Sequence, residues 1–203
     1  MKITLRNTLQ HFKKINSHKW HVFRYCMKAG IPWRGIKHDM SKFSPTEFWE
    51  SVRYYQGNRS PIDACKEAEG VSKAWMHHKG RNSHHYEYWQ DNFDKGGEPV
   101  IMPFKNVLEL LCDYLGAGRA YMGKEFSYNA ELAWWQAKKS KPIAMHPATI
   151  EFIDIVFEDL ARDELNIDAV AAVNRNLNKS FLKALYNEIC KAWLIKKEMS
   201  ING

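Results

Sequence analysis

Eight of the nine histidines fall before residue 86: His11, His18, His21, His38, His77, His78, His84 and His85. Four of them crowd into positions 77–85. Imidazole is the commonest transition-metal ligand and a general acid or base near neutral pH, so this density points to a metal site or to proton transfer. Surface histidines at helix ends are the plainer alternative. Carboxylates stand in step with the histidines. Asp39 follows His38, and Asp113 lies in the apolar run Val107-Leu-Glu-Leu-Leu-Cys-Asp-Tyr-Leu115. Mixed nitrogen and oxygen donors favour Mn, Fe, Co, Ni or Zn over Mg or Ca, whose shells are all oxygen. Two cations stand close by, Lys42 three residues after Asp39 and Arg81 amid the later histidines. Each could equally be a surface charge. Glu87 could hold a ligand histidine by its free ring nitrogen, or sit at an exposed helix start.

The order His … His-Asp … His-His … His-His … Asp resembles the HD superfamily of metal-dependent phosphohydrolases. His38-Asp39-Met-Ser-Lys42 is similar to that family's His-Asp-x-Gly/Ser-Lys signature, and His18-Lys-Trp-His-Val22 is similar to its first-ligand helix. The blocks His38-Asp-Met-Ser-Lys-Phe43 and His77-His … His84-His-Tyr-Glu-Tyr-Trp89 also resemble a group of bacterial and phage proteins that carry both. That likeness covers roughly residues 15–125. It implies an all-α, HD-like helical bundle holding one or two divalent transition-metal ions.

One ion would take His18, His38, Asp39 and Asp113, with His21 as the alternative to His18. A second would share Asp39 as a bridge and take two of the later histidines. His78 and His84 stand first, with His77 and His85 as alternatives. Asp39 and Lys42 would be the catalytic pair, and Lys42 and Arg81 would bind phosphate. The implied reaction is hydrolysis of a small phosphate ester, a nucleotide being one such substrate. Two other readings remain open: a di-iron oxygenase or redox enzyme on the same scaffold, and a non-enzymatic module that binds nucleic acid or protein.

A helix offers ligands along one stripe only, so several helices must converge to build such a site. As neighbours on a helix, His38 and Asp39 would point about 100° apart and could still reach one ion from adjacent directions. The sequence reads as helical nearly throughout. Helices are predicted over 2–28, around 35–42, from Pro45 to about 56, over 62–79, 84–93, from Pro103, over 129–139, from Pro147, and over 178–197. Ser44, Pro45 and Glu47 spell a capped helix start. Trp134 and Trp135 are predicted to be core, although they could stack on bases; His146 reads as a helix-start residue and His11 as a surface one.

The fold class is therefore all-α. Residues 1–125 form the metal-binding part and residues 126–203 a helical extension, either separate or sharing one core.

The net charge of +7 is uneven: residues 1–60 hold 12 Lys/Arg against 3 Asp/Glu, a net of +9. A basic third of this kind attracts phosphate esters or nucleic acid. Cys26, Cys65, Cys112 and Cys190 are too scattered for a zinc ribbon and read as reduced, buried thiols. No stretch reaches the roughly 18 apolar residues of a membrane span, and the expectation is a soluble cytoplasmic protein.

Overall fold

The computed structural model describes residues 2–201. They are mostly helical, with ten α-helices. Helix α1 (Leu5–Lys28) lies along α6 (Phe104–Met122) in the most extensive helix pair of the molecule, and α2 (Pro32–Lys37) folds back on α1. Helix α3 (Pro45–Tyr54) packs on α4 (Pro61–Glu69) and α5 (Lys73–Lys79). In the C-terminal part, α7 (Tyr128–Lys139), α9 (Ala169–Asn176) and α10 (Lys179–Ile201) all pack on α8 (Pro147–Asn166).

Helix α6 is the axis. Every residue from Asn106 to Gly116 is buried, as expected of a helix covered on all sides. One hydrophobic cluster joins Val22 of α1, Leu111 and Leu115 of α6, Trp135 of α7, Phe157 of α8 and Leu182 of α10.

Local signals place most helix starts. Ser44, Ser72 and Ser127 accept hydrogen bonds from the amides of Glu47, Trp75 and Ala130, and proline opens α3, α4 and α8. His146 caps α8, its Nδ1 accepting from the Ala148 amide at 3.1 Å. At Ser44 only half of the capping box forms, because the Glu47 carboxylate turns towards the histidines.

Several predicted elements are corrected. Residues 62–79 form two helices, because left-handed Gly70 ends α4 and Ser72 starts α5. Residues 84–93 are not a helix. They hold a 3₁₀ turn, Tyr86–Tyr88, and strand β1 (Gln90–Asp91), which pairs antiparallel with β2 (Glu98–Pro99). Trp89 Nε1 and Asn106 Nδ2 both donate to the Ser83 carbonyl and fix this segment as a loop. The helix expected around 35–42 ends at Lys37, and a 3₁₀ turn follows from Met40 to Phe43. Helix α9 was not expected.

His11 is buried, packed against Phe48 and Tyr55. Trp135 is fully buried, whereas Trp134 is 44% exposed. The four cysteines are free; Cys26, Cys65 and Cys112 are buried and Cys190 partly so. No helix of the described residues is long and apolar enough to cross a membrane.

The α1–α6 contact is close at one point. A Cβ on Gly116 would meet Val22 Cγ2 at 2.4 Å and Val22 N at 2.8 Å. Val22 lies one turn after His18, and Gly116 three residues after Asp113. Gly116→Ala should therefore force the two helices apart and cost about 1–3 kcal/mol of stability in denaturant unfolding. An unchanged midpoint would show that the contact is not tight.

Glu131 is buried beside Gly118, and burial, then Asp113, raises its carboxyl from 4.5 to about 8. The folded state then keeps a proton that the unfolded chain gives up. This group's contribution to stability is greatest below pH 4.5 and declines as pH rises to about 8. Glu131→Gln should raise the melting temperature more at pH 8 than at pH 5. Equal effects at the two pH values would contradict the shift.

Candidate metal centre

The break after α2 organises the cluster. His38 has extended backbone, and Asp39 adopts the left-handed conformation (φ 53°, ψ 27°) that aspartate tolerates better than most residues. On a helix the two side chains would diverge; here His38 Nε2 and Asp39 Oδ2 lie 3.3 Å apart.

His18 arrives from α1 and Asp113 from α6. His18 Nε2 is 3.3 Å from Asp39 Oδ2, 3.1 Å from Asp113 Oδ1 and 3.3 Å from His38 Nε2. His38 Nε2 is 3.3 Å from Asp113 Oδ1. With metal–ligand bonds of about 2.0–2.1 Å, neighbouring donors stand about 3.3 Å apart in a tetrahedron and about 2.9 Å apart in an octahedron. The observed separations fall within this span.

The other oxygen of Asp39 faces a second set. Asp39 Oδ1 is 3.3 Å from His78 Nε2 and 3.4 Å from His84 Nε2, and His85 completes the group.

Few protons are placed to satisfy these atoms. Neither oxygen of Asp39 has a hydrogen-bond partner of good geometry, and Lys42 Nζ lies 2.5 Å from Oδ2 as an ion pair. His84 Nε2 and His85 Nε2 are also buried without partners. Converging buried lone pairs of this kind are costly unless something positive sits among them. A divalent transition ion fits. His18, His38, Asp39 and Asp113 could hold one, and Asp39, His78, His84 and His85 a second.

Two glutamates missed by the sequence reading orient the imidazoles. His38 Nδ1 donates to Glu109 Oε1 at 3.1 Å, and His84 Nδ1 faces the same oxygen at 3.2 Å. Arg34 Nε holds Glu109 Oε2 at 2.5 Å. His78 Nδ1 donates to Glu47 Oε2 at 2.7 Å. With one proton held on Nδ1, each ring turns its Nε2 to Asp39, and that nitrogen becomes a lone-pair donor once its own proton is displaced. Glu109 lies one turn before Asp113 on α6, and that spacing was the available signal. Glu47 was legible only as a capping residue.

The charges are strongly coupled. Burial alone would raise the Asp39 carboxyl, but His38, Lys42 and His78 hold it well below the usual carboxylate range. Asp113 is treated likewise by His18 and His38. Burial disfavours a charged His38, yet Asp39, Asp113 and Glu109 push its pKa well above the ordinary value. Against burial, His38 and His84 bring Glu109 down to about 2. His85 goes the other way: burial and its histidine neighbours drive its pKa well down, so it is neutral.

Of the remaining predicted residues, His21, His77, Arg81 and Glu87 lie outside the cluster. His21 is on another face of α1, lining a different cavity. His77 Nδ1 is engaged by Glu47 Oε1 at 2.6 Å. Arg81 is exposed on the turn after α5. Glu87 sits beside Tyr86 with Oε2 unpartnered, and the histidines are held by Glu47 and Glu109 instead. Lys42 lies at the cluster, but in a 3₁₀ turn rather than on a helix shared with Asp39. The cluster opens into a cavity of about 250 Å³, whose other walls include Lys14, Trp75, Tyr114 and Tyr121.

His38 and His78 carry raised pKa values, so metal must displace their protons. Titration of chelator-stripped protein with Zn should release protons and tighten as pH rises. Glu109→Gln should weaken uptake about 10–100-fold. Uptake without proton release, or unchanged affinity in that variant, would contradict the arrangement.

No curated protein and no solved structure matches this chain. The model of DUF5662, a family of unknown function, matches residues 7–159, a span that contains the whole histidine–carboxylate cluster. The chain belongs to that family.

Proposed function

We propose that this protein is a metal-dependent phosphohydrolase acting on a small phosphate ester, a nucleotide being one such substrate. The observation that carries the reading is Asp39, whose two buried oxygens face separate histidine sets beside a cavity lined by Lys14 and Lys42. The resemblance of His38-Asp39-Met-Ser-Lys42 to the HD signature supports it. When bound, ions in such a site supply Lewis acidity and acidify water.

The chain's own groups have definable tasks. Asp39 ties the two sets together, while Glu109 and Glu47 keep the ring protons on Nδ1. Burial works against the charged form of Lys42, but Asp39 and Asp113 raise its pKa, so it stays protonated. It therefore serves as a cation towards phosphoryl oxygens and not as a base. Lys14 is steered into the cavity wall, donating to the Ala120 carbonyl at 2.9 Å and lying over Tyr121. Trp75, Tyr114 and Tyr121 give the ester's organic part flat apolar walls.

Purified protein supplied with Mn, Co or Ni should hydrolyse p-nitrophenyl phosphate. Asp39→Asn keeps a residue that tolerates the left-handed backbone and should lower turnover by about 10³-fold, as expected when several kcal/mol of charge stabilisation are lost. Absence of turnover with every ion would refute the hydrolase reading. An iron-dependent absorption band with oxygen consumption would favour redox chemistry on this scaffold. Steeply salt-dependent nucleic-acid binding that survives Asp39→Asn, without turnover, would favour a binding module.

A further inference from the structure

A second cavity, of about 300 Å³, lies between α1, the end of α6, the start of α7 and α9. Its lining includes Arg24, Lys28, Arg119 and His21 and no carboxylate. Two of the cations have neutral partners. Lys28 Nζ donates to Asn174 Oδ1 at 2.8 Å. Arg119 Nε donates to the Tyr25 hydroxyl at 3.2 Å, and its guanidinium lies 4.3 Å from the Phe126 ring centre. Asp168, at the start of α9, accepts from the Val170 and Ala171 amides and is not part of the lining. Like charges gathered without a counter-charge repel one another, and an anion between them relieves that repulsion.

The hydroxyls supply a second, independent observation. Tyr25 and Tyr128 are both buried, both line this cavity, and their oxygens are 3.3 Å apart. Arginine only donates, so Tyr25 Oη is an acceptor for Arg119. If Tyr25 donates to Tyr128, the Tyr128 proton has no acceptor among the described residues; if Tyr128 donates, the Tyr25 proton has none. Either way one buried O–H is left over. A chain of donors that ends in an unused proton beside three cations is built to meet an acceptor carrying negative charge. Part of the lining is apolar, contributed by Ala169, Val170 and Val173 of α9.

We propose that this cavity is a second ligand site, which takes a small phosphorylated molecule. Its phosphate group lies among Arg24, Lys28 and Arg119 and accepts the spare tyrosine proton, and its organic part rests on α9. The site shares no lining residue with the cavity over the histidine cluster. It stands whether or not the cluster hydrolyses anything.

The test is calorimetric titration of the full chain in EDTA, which takes bound metal out of the measurement, with inorganic pyrophosphate and with ADP as probes. One equivalent should bind per chain. Arg24→Glu and Lys28→Glu alter exposed side chains, so both variants should keep the wild-type melting temperature. Each should weaken binding by about tenfold or more. The double variant Tyr25→Phe/Tyr128→Phe, which removes both hydroxyls and with them the spare donor, should weaken it severalfold, and Lys42→Ala in the other cavity should leave it unchanged. No saturable binding of either probe to the wild-type chain would overturn the proposal. So would binding that Lys42→Ala weakens and Arg24→Glu does not.

Discussion

A carboxylate taken fully out of water must be matched by positive charge, and in this molecule that carboxylate belongs to Asp39. It is 1% exposed, its backbone is left-handed, and its two oxygens face in different directions. The surrounding cluster can be understood as the response to that one buried charge. Imidazoles come from α1, from the turn after α2, from α5 and from the loop beyond it, and Lys42 approaches from one side. Protons on the histidines can balance it partly. Divalent ions between the nitrogens and oxygens balance it more completely and use the lone pairs that protons leave idle.

Precision in such a centre comes from what lies behind the ligands. Glu109 anchors two rings and is itself clamped by Arg34; Glu47 anchors two more. The helices have little freedom to drift, because α1 and α6 touch at Val22 and Gly116 with no room for another methyl group. That contact lies one turn from His18 and three residues from Asp113, so it helps to set the 3.1 Å separation between them. The same two helices continue into the basic cavity, with His21 three residues after His18 and Arg119 six residues after Asp113. The two cavities are thus built on one rigid helix pair.

By itself the sequence carried the helical class, most helix starts and the nomination of His18, His38, Asp39 and Asp113, which the fold brings together. These depend on local causes, apolar period and proline and serine at helix starts, and on a motif order that resembles the HD superfamily. The same local reasoning failed where distant contacts decide. It read 84–93 as a helix, because nothing in that segment reveals that Ser83 is held by Trp89 and by Asn106 on α6. It placed His38 and Asp39 on a helix, whereas they lie in the break between α2 and a 3₁₀ turn. It nominated Glu87 and Arg81 because they stand near histidines in the chain. The structure instead turns Glu47 and Glu109 to the rings, from 31 and 71 residues away. Which of four clustered histidines face Asp39, and where a bare basic cavity opens, were likewise settled only when helices packed. Ligand identity is a property of residue type, which the sequence carries, whereas convergence is a property of direction in space, which exists only once the chain has folded.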